Sequence, residues 1–214
     1  SPTSLSFASF ADTASLVPTV KDANDSTMTG VTVTWASSDT TIAVVSSAGL
    51  VTSKGNGTAT ITATSGVASK TATVTVSQVA SSVTLSWTSK TFAAFGVDSS
   101  LTATVKDAND STIASPTVTW SSSDATVATV VLAITDATGS TGMVTSKGNG
   151  TATITATSDS VSKTASVTVT QVASLVTLSP STLTLISIGG TTTVTATVKD
   201  ANDSTIAGAT VTWA

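Results

Sequence analysis

The 214-residue chain contains no cysteine, histidine, tyrosine, glutamate or arginine. Without Cys there is no disulfide framework and no thiolate metal site. Without His or Cys, neither a Ser–His nor a Cys–His nucleophile pair can be assembled. The strong helix formers Glu and Arg are missing and Gln is nearly so. Charged residues make up 9% of the chain, where about 25% is usual. The net charge is −4 and no basic cluster exists, which argues against nucleic acid as a partner. No apolar run is long enough to span a bilayer, so membrane insertion is not expected. The aspartates gather in repeated turns instead of pairing across a cleft. These absences together predict that the chain is not an enzyme and needs no cofactor.

Serine and threonine fill the positions that charged residues usually occupy. Threonine is β-branched and favours strands. Hydrophobic residues make up 40% of the chain, enough for a packed core. The composition predicts an all-β protein.

One unit is written almost three times. The string TVKDANDST occupies Thr19–Thr27, Thr104–Thr112 and Thr197–Thr205, and its lysines are spaced by 85 and 93 residues. The string TSKGNGTATITATS occupies Thr52–Ser65 and Thr145–Ser158. An eight-residue insertion between Trp120 and Lys147 accounts for the unequal spacing. A period this long is a whole small domain and not a solenoid turn. The units run over 1–79 (without its first strand), 80–172 (with the insertion) and 173–214 (first strands only). No leader is visible at Ser1, as processing or cropping would leave it.

Apolar residues alternate with threonine in several segments: Ala59, Ile61 and Ala63 against Thr58, Thr60, Thr62 and Thr64; Ala72, Val74 and Val76 against Thr71, Thr73 and Thr75. Each such strand has one core face and one solvated face, the pattern of a two-sheet sandwich. Lys54–Gly57 and Lys147–Gly150 are expected to form tight hairpins, and Asp22–Ser26 a turn between strands. Pro18, which stands where the other units have Ala103 and Ala196, marks an edge or a bulge. About seven short strands per unit match tandem immunoglobulin-like β-sandwich domains.

TVTWASSDTTIAVV (Thr32–Val45), AGLVTSKGNGTATITATSG (Ala48–Gly66) and KTATVTV (Lys70–Val76), repeated with few changes in the second unit, resemble the bacterial immunoglobulin-like domains of group 2. The VKDAN segment (Val20–Asn24) is similar to the related group 1 domains of invasin-like adhesins. Such domains recur in bacterial adhesins, surface-layer and filament proteins, and phage virion proteins. The resemblance implies an extracellular or cell-surface stalk, spacer or adhesive role and no catalysis.

Three sets of residues qualify as candidate sites. Trp35, Trp120 and Trp213 close equivalent strands and are expected to pack between sheets, with sugar stacking as the alternative; Trp87 falls outside this register and is expected to be exposed near a junction. Asp22, Asn24 and Asp25, with copies Asp107, Asn109 and Asp110 and a third at Asp200–Ser204, offer oxygen ligands that Ca²⁺ accepts, although the loop lacks the length and bidentate Glu of an EF-hand; a polar turn bonded to its own backbone is the plainer expectation. Every asparagine (Asn24, Asn56, Asn109, Asn149, Asn202) lies in an Asn-x-Ser/Thr glycosylation sequon, five copies of two motifs. The insertion Val131–Thr138 adds apolar residues, either as an extended hairpin or as a lateral contact.

The third unit has too little core to fold alone. Either further chain or another subunit is expected to complete it. The second route predicts a homopolymer, an extracellular filament or layer joined by strand pairing between subunits. The alternatives are the spacer of a surface adhesin, with any host or cell-surface ligand bound by regions outside this chain, and a phage virion protein.

Overall fold

The computed structural model describes residues 2–214. Every regular element among them is a strand. In chain order these are β1 (Ser4–Phe7), β2 (Thr13–Ser15), β3 (Thr34–Ser37), β4 (Ala43–Val45), β5 (Leu50–Ser53), β6 (Gly57–Ser65), β7 (Ala68–Val76), β8 (Ser82–Leu85) and β9 (Ser89–Phe92). They continue with β10 (Asp98–Lys106), β11 (Thr119–Ser122), β12 (Ala128–Asp136), β13 (Gly139–Ser146), β14 (Gly150–Ser158), β15 (Val161–Val169), β16 (Leu175–Ser179) and β17 (Thr195–Lys199). The chain divides into two compact units, one of residues 1–83 with 104–114 and 159–161, the other of residues 84–103, 115–158 and 162–214.

The first unit holds a sandwich of two sheets, ordered β1-β7-β6-β3 and β2-β5-β4. Strand β1 runs parallel to β7, and β6 and β7 form a nine-residue antiparallel hairpin. The alternation sets which residues enter the core: Ala72, Val74 and Val76 of β7 are buried and Thr71, Thr73 and Thr75 are exposed. They join Phe7, Leu16, Val51, Ala59 and Ile61 between the sheets, with Trp35 packed at the margin. β2 ends at Ser15, and the segment through Pro18 is not a strand. Proline lacks the N–H a ladder needs. The corresponding β10, with Ala103 in place of Pro18, runs on for nine residues.

The second unit repeats the plan as β11-β14-β15-β9 facing β12-β13-β10-β8. Its core gathers Phe92, Leu101, Val144, Ile154, Val167 and Val169 among others, with Trp120 and Trp87 packed against it. The insertion lengthens the β12–β13 hairpin, whose register shifts between Leu132 and Ile134. The added residues Val131, Leu132 and Ile134 are exposed.

The tight hairpins expected at Lys54–Gly57 and Lys147–Gly150 are not hairpins. β5 and β6 lie in different sheets, so each segment carries the chain across the sandwich. Both residues after β5 donate to the other side of the crossing, Lys54 N–H and Gly55 N–H to Ile42 O at 2.8 and 3.2 Å. Glycine-rich chemistry marks a sharp change of direction but not the strand that follows it.

In residues 173–214, β16 and β17 pair as a two-stranded antiparallel sheet, Leu175 opposite Lys199 through Ser179 opposite Thr195. No second sheet covers it among the described residues. Trp213 is accordingly 61% exposed, against the expectation of a core tryptophan. Trp87 also departs from expectation: it is half-buried, and its Nε1 donates to Ser100 O at 2.8 Å.

Candidate functional site: a repeated turn-and-socket joint

The three KDAND segments adopt one conformation. In each, the lysine and the threonine six residues later form an isolated bridge: Lys21 with Thr27, Lys106 with Thr112, Lys199 with Thr205. The first aspartate organises the turn through Oδ1, which accepts the N–H groups two and four residues on. For Asp107 these come from Asn109 and Ser111, both at 3.0 Å. Asp25, Asp110 and Asp203 take positive φ of 64–65°, a conformation Asp tolerates better than most residues. Their carboxylates pair with the preceding lysines at 2.9 Å on the solvent side. Such exposed pairs contribute little.

The other carboxylate oxygen faces a socket. Within the first unit, Asp107 Oδ2 accepts Phe10 N–H and Gln78 Nε2, both at 2.9 Å. Asn109 Nδ2 donates to Phe10 O at 2.8 Å and to Asp12 Oδ1 at 2.9 Å, and Ala108 N–H donates to Ser9 Oγ at 3.2 Å. Within the second unit, Asp200 Oδ2 accepts Phe95 N–H at 3.0 Å and Gln171 Nε2 at 2.9 Å, and Asn202 Nδ2 donates to Phe95 O at 2.9 Å. In both, an aspartate Oδ2 and an asparagine Nδ2 meet a phenylalanine N–H, the same phenylalanine's carbonyl and a glutamine Nε2.

Each socket is pre-set by its own sandwich. Ser53 Oγ donates to Ser9 O at 2.7 Å, and Ser146 Oγ to Ala94 O at 2.8 Å; both serines are fully buried. Ala11 and Gly96 turn the socket loop at φ of 62° and 70°. The glutamine is aimed by an asparagine: Gln78 N–H donates to Asn56 Oδ1 at 2.9 Å while Asn56 Nδ2 donates to Gln78 Oε1 at 3.2 Å. With Oε1 so held, Nε2 is left to point at Asp107. Asn149 and Gln171 repeat this pairing at 2.8 and 3.4 Å. The linker that carries Gln78 is also anchored, Ala80 N–H donating to Asp159 Oδ2 at 2.8 Å.

Docking buries the aspartates. Asp107 and Asp200 are 3% and 2% exposed. Burial alone would push the Asp107 carboxyl up, yet the donors from Gln78, Phe10, Ser111 and Asn109 outweigh it and hold the group below the ordinary 3.8. For Asp200 the same contest, burial against Gln171, Phe95, Ser204 and Asn202, ends at about 2. A carboxylate filled by N–H donors is fixed as an anion.

The calcium candidates therefore divide. Both oxygens of Asp107 face N–H donors, and Asp110 points to Lys106; Asp22 Oδ1 faces Asn24 and Ser26 N–H, and Asp25 pairs with Lys21. No group of three or more acidic ligands gathers among the described residues. Four sequon asparagines, Asn56, Asn109, Asn149 and Asn202, use an amide hydrogen in the joints, whereas the Asn24 side chain makes no hydrogen bond among the described residues. Trp35 and Trp120 line sandwich margins, and Trp120 Nε1 donates to Ser140 Oγ at 3.2 Å. Gln78 and Gln171 are the functional residues that sequence reasoning missed. Their signal was present: the only two glutamines each stand 29 residues before a turn aspartate.

Comparison with known proteins places these observations in a family. The profile of the bacterial Ig-like domain (group 2) matches residues 1–76 and 79–169. No curated protein matches. Among solved structures, domains 4 and 5 of the S-layer protein SbsC are 26% identical over 73% of this chain and 81% of that one, with a TM-score of 0.42. The Yersinia pseudotuberculosis adhesin InvE is 20% identical over 78% of this chain and 56% of its own, TM-score 0.42. Invasin, a bacterial integrin-binding protein, is 18% identical over 89% of this chain and 43% of its own, TM-score 0.49. No catalytic family is matched. With two tandem matches over most of its length and two all-β sandwiches built on one plan, the chain belongs to the bacterial Ig-like domain (group 2) family.

Proposed function

We propose that this chain is a spacer of the bacterial cell surface, an array of Ig-like repeats that carries load or distance in a stalk, filament or surface layer. The observation behind this reading is the joint. Consecutive repeats are linked by the same buried, charge-assisted contact twice over, with Asp107 and Asp200 in the same role. A flexible linker would need none of this machinery. Antibody labelling or protease shaving of intact cells tests the location. Accessible epitopes are expected, and an epitope reached only after lysis would overturn the reading.

The finer form of the proposal is self-association by strand pairing. It is supported by residues 173–214, where Val176, Leu178, Leu185, Ile186 and Trp213 are all exposed around a two-stranded sheet. Sedimentation across a concentration series tests it: oligomers are expected, and a single monomeric species throughout would remove it. In this reading the turn carboxylates act as hydrogen-bond acceptors and not as calcium ligands. Adding millimolar Ca²⁺ should leave the thermal midpoint unchanged, and a rise of several degrees would contradict that assignment.

A further inference from the structure

Among the described residues, the edges of the two sandwiches are short with one exception. The outermost strands β1, β3, β2 and β4 of the first and β8, β9 and β11 of the second are three or four residues long. β12 is also outermost in its sheet, and it has nine residues. A long edge presents a row of unpaired N–H and C=O groups, which natural sheets blunt with short strands, lysine or proline. β12 contains neither lysine nor proline, and its one charge is its last residue, Asp136.

The extra length comes from the insertion, and it adds nothing to the packing of its own sandwich. The counterpart strand of the first repeat, β4, stops at Val45, whereas β12 runs on past Val130. Val131, Leu132 and Ile134 are 62%, 57% and 54% exposed, and none of them joins the second core. The outer side of β12 is held only at its two ends. Ala128 O accepts Ser122 Oγ at 2.7 Å, and Asp136 O accepts Ser115 N–H at 2.9 Å. Between these points, residues 129–135 have β13 on one side and no strand on the other among the described residues.

We propose that this edge pairs with β12 of a second copy of the chain, antiparallel about a two-fold axis at Val131. A row of backbone donors and acceptors is satisfied by another extended strand, and a two-fold lets one edge supply both sides of the ladder. Val130 of each copy then lies opposite Leu132 of the other, apolar against apolar. Charge selects the direction. Antiparallel pairing keeps the two Asp136 carboxylates roughly 30 Å apart at opposite ends, whereas parallel pairing in register would set them side by side on chains that already carry −4 each. The register shift between Leu132 and Ile134 bends the strand and ends the regular edge there. The two-fold uses up the edge, so the product is a closed dimer and not a fibre. The patch is small beside the about 800 Å² per partner of a standard interface, so the contact is weak. It is separate from the association ascribed to residues 173–214.

Sedimentation equilibrium of the full chain, carried to about 1 mM because the contact is weak, tests the proposal with two variants. Val131→Lys sets two ammonium groups against each other on the two-fold and should weaken one dimerisation step by at least about ten-fold. Because Val131 is exposed and outside the core, its thermal midpoint should stay at the parent value. Val176→Lys, on β16, should leave that step unchanged. Association that Val176→Lys weakens and Val131→Lys does not would overturn this inference and leave the earlier one standing, and a monomer at every concentration would remove both. Geometry is checked independently, since the chain has no cysteine of its own. Val131→Cys should form a disulfide-linked dimer on mild oxidation, as residues opposed across an antiparallel pair lie within reach. Thr73→Cys, exposed on the inner strand β7, is the control. Equal cross-linking of the two variants would contradict the proposal.

Discussion

Asp107→Asn should loosen the first joint without disturbing either core. The substitution is nearly isosteric, and the new side chain has one acceptor where the carboxylate had two. Asn109 and Ser111 N–H claim one side, Phe10 N–H and Gln78 Nε2 the other. Whichever way the amide turns, two N–H donors face another donor. Gln78 escapes by rotating its amide only at the expense of its bond from Asn56 Nδ2. Phe10 N–H is backbone and has no such freedom. Hydrogen bonds to a charged group contribute about 1.5–3 kcal/mol each, and the joint is close enough to solvent for water to recover part of that. The expected loss is about 2–3 kcal/mol. Asp110→Asn is the control, because it removes only the exposed pair with Lys106, for which about 0.5 kcal/mol or less is expected. Denaturant unfolding of both variants, followed by tryptophan emission and by far-UV dichroism because an array need not unfold in two states, supplies the comparison. Equal losses for the two variants would refute the claim that the socket side of Asp107 carries the joint.

Acid should weaken the joints before the cores. Asp107 and Asp200 are lowered in the folded chain, so their contribution is complete above the ordinary 3.8 and is lost as pH falls toward about 2 for Asp200; carboxyl titration by NMR checks it, and a folded value at or above 3.8 would contradict it. Gly142→Ala should cost about 1–3 kcal/mol, because its Cβ would meet Trp120 Cδ2 and Val130 Cγ2 at 2.9 Å, and a shift of Trp120 emission should accompany the loss of stability. Ile154→Ala should cost about 2–5 kcal/mol in the second unit and leave the first unit's unfolding unchanged, since Ile154 is fully buried in a core that the first unit does not share.

The sandwiches were legible because their information is local. Period-2 alternation assigns Ala72, Val74 and Val76 inward without reference to the rest of the chain, and near-identical repeats double the signal. The crossings at Lys54–Gly57 and Lys147–Gly150 were misread as hairpins because glycine permits a sharp turn but does not say which sheet the next strand joins. Trp213 shows the converse limit: its register matches Trp35 and Trp120, but burial depends on a facing sheet that residues 173–214 do not supply. The joint lay beyond local pattern altogether. Asp107 meets Phe10 across 97 residues and Gln78 across 29, and the sequon residue Asn56 also aims Gln78. Polar residues with no periodicity look alike in a sequence whether they are solvated or locked together.

Amide hydrogen exchange at Phe10 and Phe95 tests the joint most directly. Both N–H groups lie in socket loops outside any strand, and their acceptors are carboxylates of the following repeat, at 2.9 and 3.0 Å. The account predicts that both exchange slowly, at rates that approach those of neighbouring strand amides, and that the pH-corrected rate of each rises as acid protonates its carboxylate acceptor. Exchange of either amide at the rate of an unprotected loop near neutral pH would contradict it.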